Sequence, residues 1–310
     1  MSDQTLAVKI NAKKAKARKN RKIRDMITAY SFIAPNFLGF AIFTLGPIGF
    51  AFLLAFMNWD GSNPMEFVGL DNFFALLEDR IFKDSLWNTI VYTLFSVPLT
   101  LVSALAIAVL LNQKIKGRGL FRTAMFFPYV ASLVAVAVVW NMVFNPDMGP
   151  VNMLLYNSGV DPQNLPGWSA DKDWAMPTII LFGVWKNMGY YMVIYLAGLQ
   201  GINSELYEAA DIDGANSWQK FMRITVPQLT PTTFFVSVML MIQSFKVFDH
   251  VLLLTQGGPG SSTMVLGYHL YNEAFVSWRL GYSSAIAIVL FLLVLIVTVI
   301  QFKYAKKYEE

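Results

Sequence analysis

Six apolar segments run through this chain. Each is close to the roughly 20 residues that an α-helix needs to cross the hydrocarbon of a bilayer. They lie near residues 29–57, 87–111, 123–144, 176–199, 228–255 and 282–302. The polar loops between them cannot supply a second core, so the pattern predicts an all-α, polytopic membrane protein with six transmembrane helices and no soluble domain. Composition agrees: 55% of residues are hydrophobic and only 14% charged, with a mean hydropathy of +0.48, too apolar for a soluble domain. Pro35 and Gly46-Pro47 predict a kink in the first segment, and Pro98 and Pro128 predict bends further on.

Charge orients the spans. Lys9, Lys13, Lys14, Lys16, Arg18, Lys19, Arg21, Lys22 and Arg24 all precede the first apolar run. Residues 1–25 are therefore expected to form a disordered basic tail held near anionic lipid, with residues 26–310 forming the membrane domain. Nucleic acid is the less probable partner for such a tail. The apolar run that follows is too long for a cleaved signal peptide. Lys114, Lys116, Arg118, Arg122, Lys220, Arg223, Lys303, Lys306 and Lys307 lie on the same side as the tail, while the other side holds only Arg80, Lys83, Lys172 and Arg279. Excess Lys and Arg mark cytoplasmic loops, so both termini and the loop at 201–227 are expected in the cytoplasm.

That loop carries the most specific pattern in the chain. Ser204 is a candidate N-cap, Glu205 and Glu208 suit the positive end of a helix, and Leu206, Ala209 and Ala210 share a face. Gly214 should end or bend the helix, and Pro227 suits the first turn of the next one. The spacing Glu208-Ala-Ala, three residues, Gly214, nine residues, Ile224-Thr-Val-Pro227 resembles the coupling loop of ATP-binding-cassette importer permeases, with Val226 as the one departure. Asp211-Ile-Asp213-Gly-Ala215 and Trp218-Gln219 resemble the carbohydrate branch, maltose or multiple-sugar type. So do Phe67-Val-Gly-Leu-Asp-Asn-Phe73, where a short helix is implied, and Thr255-Gln-Gly-Gly-Pro259.

The resemblance implies a type I importer permease in a bacterial inner membrane. A second permease, an ATPase dimer and an extracytoplasmic solute-binding protein would be its partners, with a carbohydrate as substrate. It assigns Glu205, Glu208, Ala209, Ala210, Asp213, Gly214 and Pro227 to coupling with the ATPase. Small residues let a helix approach a cleft closely, and acidic ones offer charge-assisted contacts. No Gly-x-x-x-x-Gly-Lys phosphate loop occurs, so ATP and Mg are expected in the separate ATPase and no cofactor in this chain. With no cysteine and only His250 and His269, neither a metal site nor a catalytic triad is expected, and the chain is not expected to be an enzyme.

Polar groups inside apolar spans are costly and usually functional. Lys186 lies about ten residues from the outer end of its segment, roughly 15 Å, and Lys246 about nine residues from the end of its own, roughly 14 Å. The two levels match. Trp185, Lys186, Asn187 and Tyr190 on one helix are therefore expected to share a carbohydrate cavity with Gln243, Ser244 and Lys246 on another, with Trp185 or Tyr190 stacking on the sugar. Trp185, Tyr190 and Ser244 match positions that contact sugar in maltose-type permeases. An ion pair of Lys246 with Asp249 or His250 is the competing reading for that lysine. A non-sugar solute is an alternative within the family. A secondary transporter or an intramembrane enzyme would explain the spans but not the coupling loop.

Overall fold

In a computed structural model of the chain, residues 3–113 and 115–309 are described. Lys114 lies outside the described residues, as do the side chains of Lys9, Lys13, Lys14, Lys16, Lys19, Lys306 and Lys307. Residues 1–54 and 55–310 form two units.

In the first unit, α1 (Asp3–Phe40) passes through a π-helical turn, Ala41–Leu45, into α2 (Gly46–Leu54). The backbone is thus helical from Asp3, where the basic composition predicted a disordered tail. Lys, Arg, Ala and Asn dominate this stretch, and no Gly or Pro interrupts it before Pro35, so nothing in it opposes helix propagation. Large apolar side chains such as Phe32 and Phe43 are about four-fifths exposed (81% and 80%). Their surroundings must be lipid or a partner.

The second unit opens with a two-residue hairpin, β1 (Met57–Asn58) against β2 (Glu66–Phe67). The short helix implied by Phe67–Phe73 follows as α3 (Asp71–Glu78), held by Asn72 Nδ2, which donates to the carbonyls of Ala55 and Met57 at 2.9 Å each. Then come α4 (Arg80–Asn112), α5 (Arg118–Val130), α6 (Leu133–Val143), α7 (Pro150–Asn157) and α8 (Ala175–Gln200). The loop helices α9 (Ser204–Ile212) and α10 (Ser217–Lys220) lead to α11 (Val226–Gln228) and α12 (Thr230–Phe245). The last three are α13 (Asp249–Leu254), α14 (Leu266–Tyr271) and α15 (Leu280–Glu309).

Four helices are long and apolar enough to cross a membrane: Asn20–Leu54, Arg80–Asn112, Ala175–Gln200 and Leu280–Ala305. Two more candidates are bent pairs, Arg118–Val130 with Leu133–Val143 at 100° and Ser217–Gln228 with Thr230–Phe245 at 64°. Counting each pair once gives six spans among the described residues. Pro98 leaves α4 unbroken, whereas the Pro128 region ends α5. The predicted segment 228–255 is not one helix. It breaks after Phe245 and resumes at Asp249, with Phe248 at φ −146°. Part of the reason is close packing: a Cβ added to Gly267 would lie 2.6 Å from the Val247 carbonyl oxygen.

The centre of this unit is the packing of α4 on α8. Ser85, Thr89, Thr93, Ser96, Thr100, Ala104 and Ala108 form a buried stripe of small residues along α4. Small side chains let backbones approach where no hydrophobic effect operates between helices. Glycines on α8 extend the same logic to its other neighbours: a Cβ on Gly183 would meet Tyr92 Oη at 2.5 Å, and one on Gly189 would meet the Met125 carbonyl oxygen at 1.9 Å.

Beyond the spans, Asp79 caps α4 by accepting from Ile81 N at 2.7 Å, and its other oxygen accepts from Tyr282 Oη at 2.5 Å. Burial pushes its carboxyl up, but these hydrogen bonds and nearby His269 outweigh that and hold it below the usual carboxylate range. His269 is buried, 3.5 Å from Asp79 Oδ2 and 4.0 Å from Glu273 Oε1. Burial lowers its pKa more than the two carboxylates raise it.

Candidate functional site

A cavity of about 560 Å³ opens where α8 faces the break between α12 and α13, with α4 and the end of α5 completing the wall. Asn187, Tyr190, Gln243, Ser244 and Lys246 all line it, so the structure brings five of the seven residues expected at a substrate site together. Asn187 Nδ2 donates to the Gly183 carbonyl at 2.8 Å, and its Oδ1 accepts from Gln243 Nε2 at 3.4 Å. Gln243 Oε1 accepts from Tyr191 Oη at 2.9 Å. This chain orients both amides toward the cavity. Ser244 Oγ and Ser96 Oγ are hydrogen-bonded at 3.3 Å, tying α12 to α4.

Trp185 and Lys186 do not line the cavity. Trp185 turns to the other side of α8 and packs on Trp140 at 5.0 Å between ring centroids. Lys186 is buried, and its Nζ donates to the carbonyls of Pro128 at 2.9 Å, Ala131 at 3.3 Å and Tyr129 at 3.4 Å. These carbonyls lie at the C-terminal end of α5, where a helix leaves acceptors unsatisfied. An ammonium placed there is a cap supplied by another helix, favoured by the negative end of the dipole. Lys186 thus holds the bend between α5 and α6.

The stacking surface at the cavity is a pair of tyrosines. Tyr190 lies on Tyr129 with centroids 4.5 Å apart and planes 16° from parallel, and Tyr191 meets Tyr190 edge-on at 5.0 Å. Tyr129, Tyr92 and Ser96 escaped the sequence reading. The hydroxyl stripe at 85, 89, 93, 96 and 100 was the available signal for α4, since it repeats at helical spacing inside an apolar span. Nothing comparable marked Tyr129. Lys246 makes no ion pair among the described residues, so the expected alternative with Asp249 or His250 is not formed. The helical spacing which that pairing required is interrupted by the break.

At the far end of α8 the loop folds into two short helices. The N-cap of α9 is Asn203 rather than Ser204: its Oδ1 accepts from Glu205 N at 3.1 Å and its Nδ2 donates to Glu205 Oε2 at 3.0 Å. Gly214 ends the helix at φ +74°, a conformation that side chains with a Cβ rarely adopt. Lys220 Nζ bonds Asp211 Oδ1 at 2.6 Å, and Tyr207 Oη bonds Thr225 Oγ1 at 2.8 Å, so the two helices move as one piece. Pro227 lies in α11, before the 64° bend, and Pro231 rather than Pro227 opens the membrane helix. Glu205, Glu208, Ala209, Asp213 and Gly214 are exposed and Ala210 half-buried, and Ile212 and Trp218 add exposed apolar surface.

Comparison with known proteins places these features. Residues 73–309 match the family described as binding-protein-dependent transport system inner membrane component. The chain is 40% identical over 291 residues to the probable ABC transporter permease protein YesP of Bacillus subtilis (strain 168), covering 92% of this chain and 93% of that protein. It is 35% identical to the arabinooligosaccharides transport system permease protein AraP of the same organism, covering 90% and 89%. Its fold matches a chain in the crystal structure of a bacterial ABC transporter involved in the import of the acidic polysaccharide alginate, with a TM-score of 0.83, 24% identity, and coverage of 94% of this chain and 100% of that one.

Proposed function

Since the chain belongs to the family of binding-protein-dependent transport system inner membrane components, we propose that it is the permease subunit of an ATP-driven carbohydrate importer. It forms the translocation pathway with a second permease. An ATPase dimer drives it, using ATP and Mg held in that subunit, and an extracytoplasmic binding protein delivers the sugar. In this reading residues 1–25 and both termini lie in the cytoplasm of a bacterial cell, and the loop at 201–227 docks on the ATPase.

One observation carries the proposal: the two helices that wall the cavity are the two that flank the loop. α8 runs from the cavity at Asn187 and Tyr190 to its end at Gln200, and α12 returns from Thr230 to Gln243 and Ser244. The α9–α10 piece between them is rigid and exposes small, acidic and apolar residues on its surface. ATP-driven closure of the ATPases would displace this piece, and α8 and α12 would carry the motion to the cavity. A stacked tyrosine pair beside Asn187 and Gln243 suits a sugar, whose C–H faces pack on rings and whose hydroxyls need donors and acceptors. A carbohydrate substrate is also consistent with the naming of the relative AraP.

The test is uptake by the reconstituted importer carrying Glu208→Lys or Gly214→Leu. The first reverses a charge on the docking face, and the second puts a β-carbon at φ +74°. Both should abolish uptake and the stimulation of ATPase activity by the binding protein, and the complex should copurify with its ATPase. Uptake at the wild-type rate in both variants would refute the docking role.

A further inference from the structure

The charges on the cavity wall do not balance. Its only ionised lining groups are Lys246 and Asp249. Asp249 is already served: Oδ1 accepts from His250 N at 3.0 Å, lies 3.9 Å from His250 Nε2, and the carboxylate feels the charge of Lys186 behind the wall. Lys246 has no such partner among the described residues. It caps α12 with φ −93° and ψ 13°, where the last carbonyls of the helix offer only partial negative charge. Two ammonium groups therefore surround a cavity that holds one carboxylate.

An ionisable side chain at membrane depth faces a wet cavity or pairs with another group. Lys246 is exposed to the cavity, and the break at residues 246–248 turns it there instead of along a helix face. A neutral sugar needs no ammonium, because Asn187, Gln243 and the tyrosine hydroxyls supply donors and acceptors. A carboxylate does: it would gain a charge-assisted hydrogen bond, which is shorter and about twice as strong as a neutral one.

We propose that the cavity takes a carbohydrate bearing a carboxylate, a uronate-containing oligosaccharide, with Lys246 Nζ as its counter-ion. This rests on the carbohydrate-import reading above and names the class of sugar. The acid group would sit on the Lys246 side, away from Asp249, so Asp249 fixes the direction in which the sugar lies.

The experiment is calorimetric titration of the purified, complete importer with a panel of uronate di- and trisaccharides and their carboxyl-reduced, neutral counterparts. The wild type should bind at least one acidic sugar about tenfold or more tightly than its neutral counterpart, and the ratio should shrink with added salt. Lys246→Gln should collapse the ratio toward one, and Lys246→Arg should keep it. If neutral sugars bind as well as acidic ones across the panel, or if Lys246→Gln leaves the ratio intact, the proposal is wrong. If Lys246→Gln does not assemble, the wild-type comparison of acidic and neutral sugars decides alone. If the assembled wild type binds neither kind, the carbohydrate reading fails and takes this inference with it, an outcome distinct from binding neutral sugars alone.

Discussion

Replacing Lys186 by Met separates a structural lysine from a substrate-binding one. The ammonium makes one short bond, to the Pro128 carbonyl at 2.9 Å, and two long ones at 3.3 and 3.4 Å. A hydrogen bond to a charged group contributes about 1.5–3 kcal/mol, and the long pair adds less. Methionine fills similar volume and removes the cost of burying a charge, which offsets part of the loss. The net expectation is a destabilisation of about 2 kcal/mol, or roughly 4–8 °C in the melting temperature if the scaling for soluble domains of 150–250 residues applies. The assay is thermal unfolding of the purified complex, followed by uptake at several sugar concentrations. Lys186→Met should lower the Tm and the amount of assembled importer, and leave the KM of what does assemble close to wild type. Tyr190→Ala and Gln243→Ala should do the opposite, assembling normally while raising KM about five- to 150-fold, equivalent to about 1–3 kcal/mol. A Lys186→Met importer with an unchanged Tm and a raised KM would refute the capping argument and return Lys186 to the sugar.

Gly189→Ala should impair assembly by more than a typical surface substitution, because its Cβ would lie 1.9 Å from the Met125 carbonyl oxygen, and backbone cannot rotate away as a side chain can; copurification of the partner permease measures this. Acidification should destabilise the outer cluster. A His269 held below its ordinary pKa favours folding above the unfolded value of 6.5, and that contribution is lost as pH falls through 6.5 toward the depressed folded value. Asp79, also depressed, adds a further loss as pH falls through 3.8 and below. The Tm should therefore fall between pH 7 and 5, and His269→Gln should flatten that slope; an unchanged slope would refute the assignment.

Much of the architecture was legible in the sequence because it depends on properties that sum along the chain. Span length follows from the thickness of hydrocarbon to be crossed, and the loop from Glu208 to Gly214 follows from local backbone demands at each position. Pairing Asn187 with Gln243 could be anticipated from depth alone, since 1.5 Å per residue converts sequence distance into height in the bilayer. Height, however, says nothing of azimuth. Trp185 and Tyr190 stand five residues apart on α8, more than one turn, and point to different sides. Which of the two reaches the cavity is decided by the neighbouring helices: Trp140 takes Trp185, and Tyr129 takes Tyr190. Backbone acceptors are equally silent in a sequence. Every residue carries a carbonyl, so only the tertiary bend at the end of α5 determines that those of Pro128, Tyr129 and Ala131 converge on Lys186. The break after Phe245 likewise belongs to packing, because Gly267 must come close before the Val247 backbone has reason to leave the helix. The sequence alone determined a six-span chain with a coupling loop, through hydrophobicity and local stereochemistry. The side chains that face the solute path were chosen by helix rotation and by contacts between residues as much as 148 positions apart, as at Ser96 and Ser244.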